Sequence, residues 1–215
     1  MNRILGSGFL VIGLMWARSA VAYDAFDNYL PGDLYDTTTG WTVAGDEMEA
    51  PLFQSPHIVG QQFTAEATGI LAVIRISLHD QFLTGFNQVD VRLHEDASGA
   101  LGPIMAAFTR GGLPPQGGAD PPETISSFDP DVVLTAGEQY WIVVAPGDST
   151  TEAVWNWAFG GGGTIVHSFD GGLTYSYSEG RMGAMRIEVI SIPEPATLAM
   201  LALGFGILTL RRQRK

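Results

Sequence analysis

The stretch Gly69-Ile70-Leu71-Ala72-Val73-Ile74-Arg75-Ile76-Ser77-Leu78-His79 decides the fold. Ile70, Ala72, Ile74, Ile76 and Leu78 recur at every second position, with Arg75 and Ser77 between them. A period of two puts one face of a strand against a core and the other toward water, whereas a helix needs apolar residues three and four apart. Residues 88–95 repeat the pattern, with Val89, Val91 and Leu93 alternating with Asp90, Arg92 and His94. Residues 139–145 (Gln-Tyr-Trp-Ile-Val-Val-Ala) are apolar on both faces and read as a central strand.

Outward from these three, shorter β-rich runs cover 57–65, 103–109, 124–128, 132–134, 153–159, 164–168, 173–178 and 185–191, punctuated by Gly, Pro, Asp and Asn. Residues 111–123 hold four prolines and four glycines and read as a loop or irregular edge. No stretch between residues 23 and 192 has the spacing of an amphipathic helix. Strands this short and this numerous imply two packed sheets. The expected body, residues 23–192, is all-β: a two-sheet antiparallel sandwich of the jelly-roll kind.

Charge and composition narrow the function. The 215 residues carry 23 Asp and Glu against 11 Lys and Arg, a formal charge of −12. Between Tyr23 and Pro195 five arginines face all 23 acids, which makes that segment −18. Binding to nucleic acid phosphate needs clustered Lys or Arg, so it is excluded. The absence of cysteine excludes a disulfide framework, a thiol nucleophile and thiolate metal sites.

The two ends differ from the body. Residues 1–22 consist of a charged start at Arg3, an apolar run over 4–16, and an ending Ala20-Val21-Ala22. This is the pattern of a secretory signal peptide cut after Ala22, which brings signal peptidase and the general secretion machinery in as partners. At the other end stand Pro193-Glu194-Pro195, an uncharged stretch over 196–210, and the basic cluster Arg211, Arg212, Arg214 and Lys215. Fifteen residues of helix reach about 22 Å, short of a bilayer core of about 30 Å, as a transient transmembrane helix would be. The basic cluster would hold the last five residues in the cytoplasm.

Residues 193–215 resemble the PEP-CTERM sorting signal of exported bacterial proteins: Pro-Glu-Pro, a short apolar helix and an Arg-rich end, in that order. The resemblance implies an exosortase, an integral-membrane sorting enzyme that cuts near the Pro-Glu-Pro. It would release the protein to the cell surface or extracellular matrix of a Gram-negative-type bacterium. A looser resemblance covers about residues 59–189. Val59-Gly60-Gln61-Gln62-Phe63-Thr64, the 89–102 hairpin and Leu134-Thr135-Ala136-Gly137-Glu138-Gln139-Tyr140-Trp141 are similar to choice-of-anchor β-sandwich domains. That family implies an extracellular module and no defined activity.

Motifs of catalysis do not stand out. His57, His79, His94 and His167 form no close ligand pair in sequence, and there is no Gly-x-Ser-x-Gly. If 69–79 and 88–95 formed a tight hairpin, His79 and His94 would sit near its opposite ends, too far apart for one metal. The expected body is therefore non-enzymatic, with an extracellular glycosidase or esterase as the alternative. No cofactor is expected. For Ca²⁺ the weak candidates are Asp129, Asp131 and Asp170, with Asp46, Glu47 and Glu49 behind them, against a reading as solvated acidic surface. Trp155, Trp157 and Phe159 alternate and would share one face of a strand, as would Tyr175 and Tyr177. Exposed, Trp155 and Trp157 would stack on sugar rings of a polysaccharide partner; buried, they would form the sandwich core. The run Gly160–Gly163 reads as a flexible turn.

Overall fold

Val, Ile and aromatic side chains at alternate positions pack well on a pleated surface, and a two-faced pattern needs a second layer to cover it. The computed structural model describes residues 21–47, 56–81, 87–118, 120–127 and 129–191. Every helix or strand assigned among them is a strand. In chain order these are β1 (Ala22–Asp27), β2 (Gly40–Ala44), β3 (Ile58–Thr64), β4 (Gly69–Ile76), β5 (Leu78–Asp80), β6 (Gln88–Asp96) and β7 (Leu101–Gly111). They continue with β8 (Glu123–Ser126), β9 (Val133–Leu134), β10 (Gln139–Pro146), β11 (Glu152–Ser168), β12 (Ser176–Gly183) and β13 (Met185–Ile190). The helices expected over 4–16 and 196–210 lie outside the described residues.

The strands form two antiparallel sheets. One runs β1-β13-β4-β8 with β9 also on β4; the other runs β12-β11-β3-β10-β6-β7, with β2 and β5 on the first half of β11. Between them lies the main core: Val89, Val91 and Leu93 of β6 and Ile142 and Val144 of β10 meet Leu71, Ile74 and Ile76 of β4 and Ile187 and Val189 of β13. As its sequence indicates, β10 is buried on both faces; Trp141 and Val143 pack in a second cluster with Ile58 and Val166.

In β4, the residue faces depart from strict alternation. Leu71, not Ile70, is fully buried, while Ile74 and Ile76 keep the inward face. The cause is a bulge: Glu188 pairs with Val73 but Val189 with Leu71, so Ala72 is an extra residue. The run also breaks at Ser77, where β4 leaves β13 and β5 joins β11. Ser77 is fully buried rather than solvent-facing, with Oγ 2.9 Å from the Tyr29 hydroxyl. Backbone bonds Ser77 N to Ala184 O, Ala184 N to Asn156 O and Asn156 N to Ser77 O join the two sheets at this corner.

Residues 153–159 and 164–168, expected as two strands, are one strand of 17 residues. The glycine run is a bulge inside β11. Trp157 pairs with Gly183 and Gly162 with Arg181, so five steps along β11 match two along β12. Gly161 takes a φ of 84°, which glycine adopts without a Cβ clash. The expected strand over 173–178 begins later, at Ser176, and runs on to Gly183 because its partner β11 is longer. β1 and β2 come from stretches without clear alternation; they form because β13 and β11 offer them edges.

All five arginines of the body have carboxylate partners. Arg75 bonds Glu188 (2.8 Å), Arg92 bonds Asp90 (3.2 Å), Arg110 meets Glu123, and Arg181 lies 3.9 Å from Asp36. Arg186 contacts Asp24, Asp27 and Asp33. The remaining surface charge is therefore anionic.

Two glycines test this architecture. A Cβ at Gly183 would run into the indole of Trp155, whereas one at Gly160 meets nothing within 4 Å. Gly183→Ala should cost about 1–3 kcal/mol by overpacking, and Gly160→Ala should be neutral or slightly stabilising. Equilibrium urea unfolding of the two variants checks the contrast.

Candidate functional site

Trp155 is 1% exposed, and its Nε1 donates to the Ala184 carbonyl at 3.2 Å. It belongs to the core and offers no face to a sugar. Trp157, two residues on, is half-buried. The Arg181 guanidinium carbon lies 4.5 Å from its ring centroid, and Trp41 meets it edge-on at 5.4 Å. Phe159 lies in the bulge and is exposed. The flat Trp155–Trp157 stripe is therefore not present: one ring is core, and the other is covered by a cation and an indole.

A different aromatic band forms where β2, the start of β3 and the end of β11 come together. Trp41 lies 4.7 Å from His167 at 65°, His167 is hydrogen-bonded to His57, and His57 stacks on Phe169 at 4.5 Å and 6°. With Trp157 beyond Trp41, five rings run in series and end on Phe169, which is 54% exposed. Sequence pattern missed the band because its central pair is separated by 110 residues. Only the β3–β11 register, with His167 opposite Val59, carries His57 to it.

His57 and His167 form a hydrogen-bonded pair. His57 Nε2 is 3.1 Å from His167 Nδ1, with the ring planes only 15° apart. Burial, reinforced by His167, holds His57 down at a pKa of about 4, and burial also lowers His167. Both are neutral at pH 7. The band is a series of mutually stacked and edge-on rings, with the Arg181 guanidinium over Trp157 at one end and the exposed Phe169 at the other. Phe169, 54% exposed, is the ring of the band that is open to the C–H face of a sugar.

His79 and His94 occupy two further environments. His79 Nε2 is 3.2 Å from the Tyr35 hydroxyl at the sheet corner, and His94 Nδ1 donates to the Gly102 carbonyl at 2.9 Å. Among the described residues no group of three or more His, Asp or Glu is placed to hold a metal ion. Asp129 Oδ1 accepts from Asp131 N (3.0 Å) in the turn after β8. Asp170 caps the turn after β11, accepting from Thr174 N (2.9 Å), Thr174 Oγ1 (2.6 Å) and Ser168 Oγ (2.8 Å). Those bonds, Thr174's foremost, bring its pKa down to about 2. The weak Ca²⁺ candidates thus serve local turns; Asp46 and Glu47 lie after β2, and Glu49 lies outside the described residues.

The residues singled out for processing lie at the ends of the body. Ala22 opens β1 and pairs with Ile190, the last residue of β13. Just beyond, Ser191 N donates to Val21 O at 3.4 Å. Ala20, Pro193, Glu194, Pro195, Arg211, Arg212, Arg214 and Lys215 lie outside the described residues.

Acid should weaken the body. Burial depresses all four histidines. Below pH 6.5 the unfolded chain therefore takes up protons that the folded chain refuses. Stability is fully present above the unfolded value and is lost as pH falls toward the folded one. For His57, a fall from 6.5 to about 4 corresponds to about 3 kcal/mol. The melting temperature should drop between pH 7 and 4.5, and His57→Gln should flatten that drop. A pH dependence that is the same in His57→Gln as in the wild type contradicts the buried neutral pair.

Comparison with known proteins bears on the C-terminal end. Residues 191–215 match the PEP-CTERM protein-sorting motif. This motif is recognised by exosortase and marks a protein exported and sorted to the cell surface or extracellular space of Gram-negative bacteria. No curated protein matches the chain.

Proposed function

We propose that the chain is made as an exported precursor: a cleavable leader over residues 1–22, a β-sandwich body over 23–192 and a sorting segment over 193–215. In this reading 196–210 forms a short transmembrane helix, Arg211, Arg212, Arg214 and Lys215 hold its end in the cytoplasm, and the sandwich winds as a jelly roll. The observation that carries the reading is the pairing of Ala22 with Ile190 in one ladder. It sets residues 22 and 190, where this reading joins the leader and the sorting segment to the body, at the same end of two neighbouring strands. A precursor attached to the membrane at both ends can then fold its body without stretching either attachment. Signal peptidase and the secretion machinery act at the first end, exosortase at the second.

The body in this proposal is a non-enzymatic component of the extracellular matrix that associates with polysaccharide and needs no cofactor. The exposed Phe169 ring at the end of the aromatic band supports it, because an uncharged ring suits sugars better than ions. Turnover of a glycoside or ester substrate by the purified protein would replace this reading with the hydrolase alternative.

Processing is the sharpest test. Replacing Pro193, Glu194 and Pro195 with alanine should leave the full-length protein in the membrane fraction, with its body still exported. Mass spectrometry of the released wild-type protein should find a C-terminus near Pro193 and no peptide from 196–215. Released protein that retains 196–210 would make the segment a plain tail anchor.

A further inference from the structure

β3 and β11 pair from Ile58 with Ser168 to Gln61 with Ile165, and there the ladder stops. The next pairs in that register would be Gln62 with Thr164, Phe63 with Gly163 and Thr64 with Gly162. None of them forms, although each strand keeps its other neighbour. Gln62, Phe63 and Thr64 pair with Trp141, Tyr140 and Gln139 of β10. Gly162, Gly163 and Thr164 pair with Arg181, Gly180 and Glu179 of β12. The sheet forks, and those six residues line an open cleft of about 420 Å³.

The fork is fixed at its base by Gln61, which is 1% exposed. Its side-chain amide donates to Gly183 O (3.0 Å) and accepts from Gly183 N (2.6 Å), standing in for the backbone partner that Gly183 lacks there. Phe26, Phe63 and Met182 give the cleft an apolar floor, and Glu66, Gln139 and Glu179 give it a polar rim. Gly162 and Gly163 leave two of the three β11 positions without side chains, so a ligand can approach the backbone closely there.

We propose that this fork is a binding cleft for a neutral, hydroxyl-rich saccharide segment. The inference rests on the polysaccharide reading of the body and places a site for it. Two facing strand edges present N–H donors and C=O acceptors together, and each sugar hydroxyl is both donor and acceptor. The apolar floor matches the C–H face of a pyranose. The open span is three residues on each side, about 10 Å, shorter than the 5–6 residues of an ordinary added strand. Charge selects against acidic polymers: the rim holds Glu66 and Glu179, no arginine lines the cleft, and all five body arginines are paired with carboxylates.

The test is calorimetric titration of the full chain, kept in a sugar-free zwitterionic detergent, with dextran, galactomannan and hydroxyethylcellulose, and with polygalacturonate as the acidic polymer. At least one neutral polymer should bind, and polygalacturonate should bind at least ten-fold more weakly. Thr64→Trp, at an exposed position of the cleft wall, should weaken neutral binding ten-fold or more with an unchanged melting temperature. Should that variant unfold, Gln139→Ala on the exposed rim is read instead and should weaken binding at least three-fold. Neutral binding that survives these changes but is lost in Phe169→Ala overturns the cleft and leaves the polysaccharide reading standing on the ring band. Preference for polygalacturonate overturns the neutral-ligand assignment, and binding of none of the polymers overturns both readings.

Discussion

Backbone hydrogen bonds must stay paired along β11 while its neighbours change, and much of the larger sheet follows from how this is done. Over its first five residues β11 lies against β2, with β5 also paired to it over Ala153–Trp155; later it pairs with β3 over Ile165–Ser168 and with β12 over Gly162–His167. The transition is absorbed by three extra residues between Trp157 and Gly162, where Gly161 supplies the left-handed backbone. Trp155 fills the space inside the transition, and Gly183 is glycine because the indole lies against it. The corner bonds among Ser77, Ala184 and Asn156 then tie this strand to the opposite sheet.

What could be read from sequence divides by whether the cause is local. β6 and β10 were legible because alternation, or its absence on a doubly buried strand, is a property of the segment itself. β4 was legible as a strand, but its faces were not, since the bulge at Ala72 is imposed by β13. β1, with Asp24 and Asp27 among its six residues, carries no strand pattern; Arg186 of the neighbouring strand offsets those charges. The sorting motif was legible because it is a linear signal. The ring band and the sheet fork were not, for each exists only through registers that join residues about a hundred positions apart.

The distribution of charge fits a surface exposed to polymers and salts outside the cell. Each arginine of the body is spent on an internal carboxylate, so none is left as a free anchor for phosphate or sulfate groups. Pairs of this kind, mostly part-exposed, add little to stability. Their greater effect is on recognition: they leave an acidic exterior in which every arginine of the body already faces a carboxylate.

The position of β13 has a consequence for the timing of folding. It lies between β1 and β4, so the first and last strands of the body are neighbours and the smaller sheet lacks an interior member until residue 190 is available. A chain crossing a membrane from its N-terminus delivers β13 last. β1 and β4 must therefore wait, each with an open edge, while some 160 and 110 residues respectively emerge. Contacts of such long sequence separation form slowly. The sandwich can close only after the whole body has crossed, when the sorting segment is the next part of the chain to reach the membrane. Completion of the fold and arrival of the sorting signal are thereby nearly simultaneous.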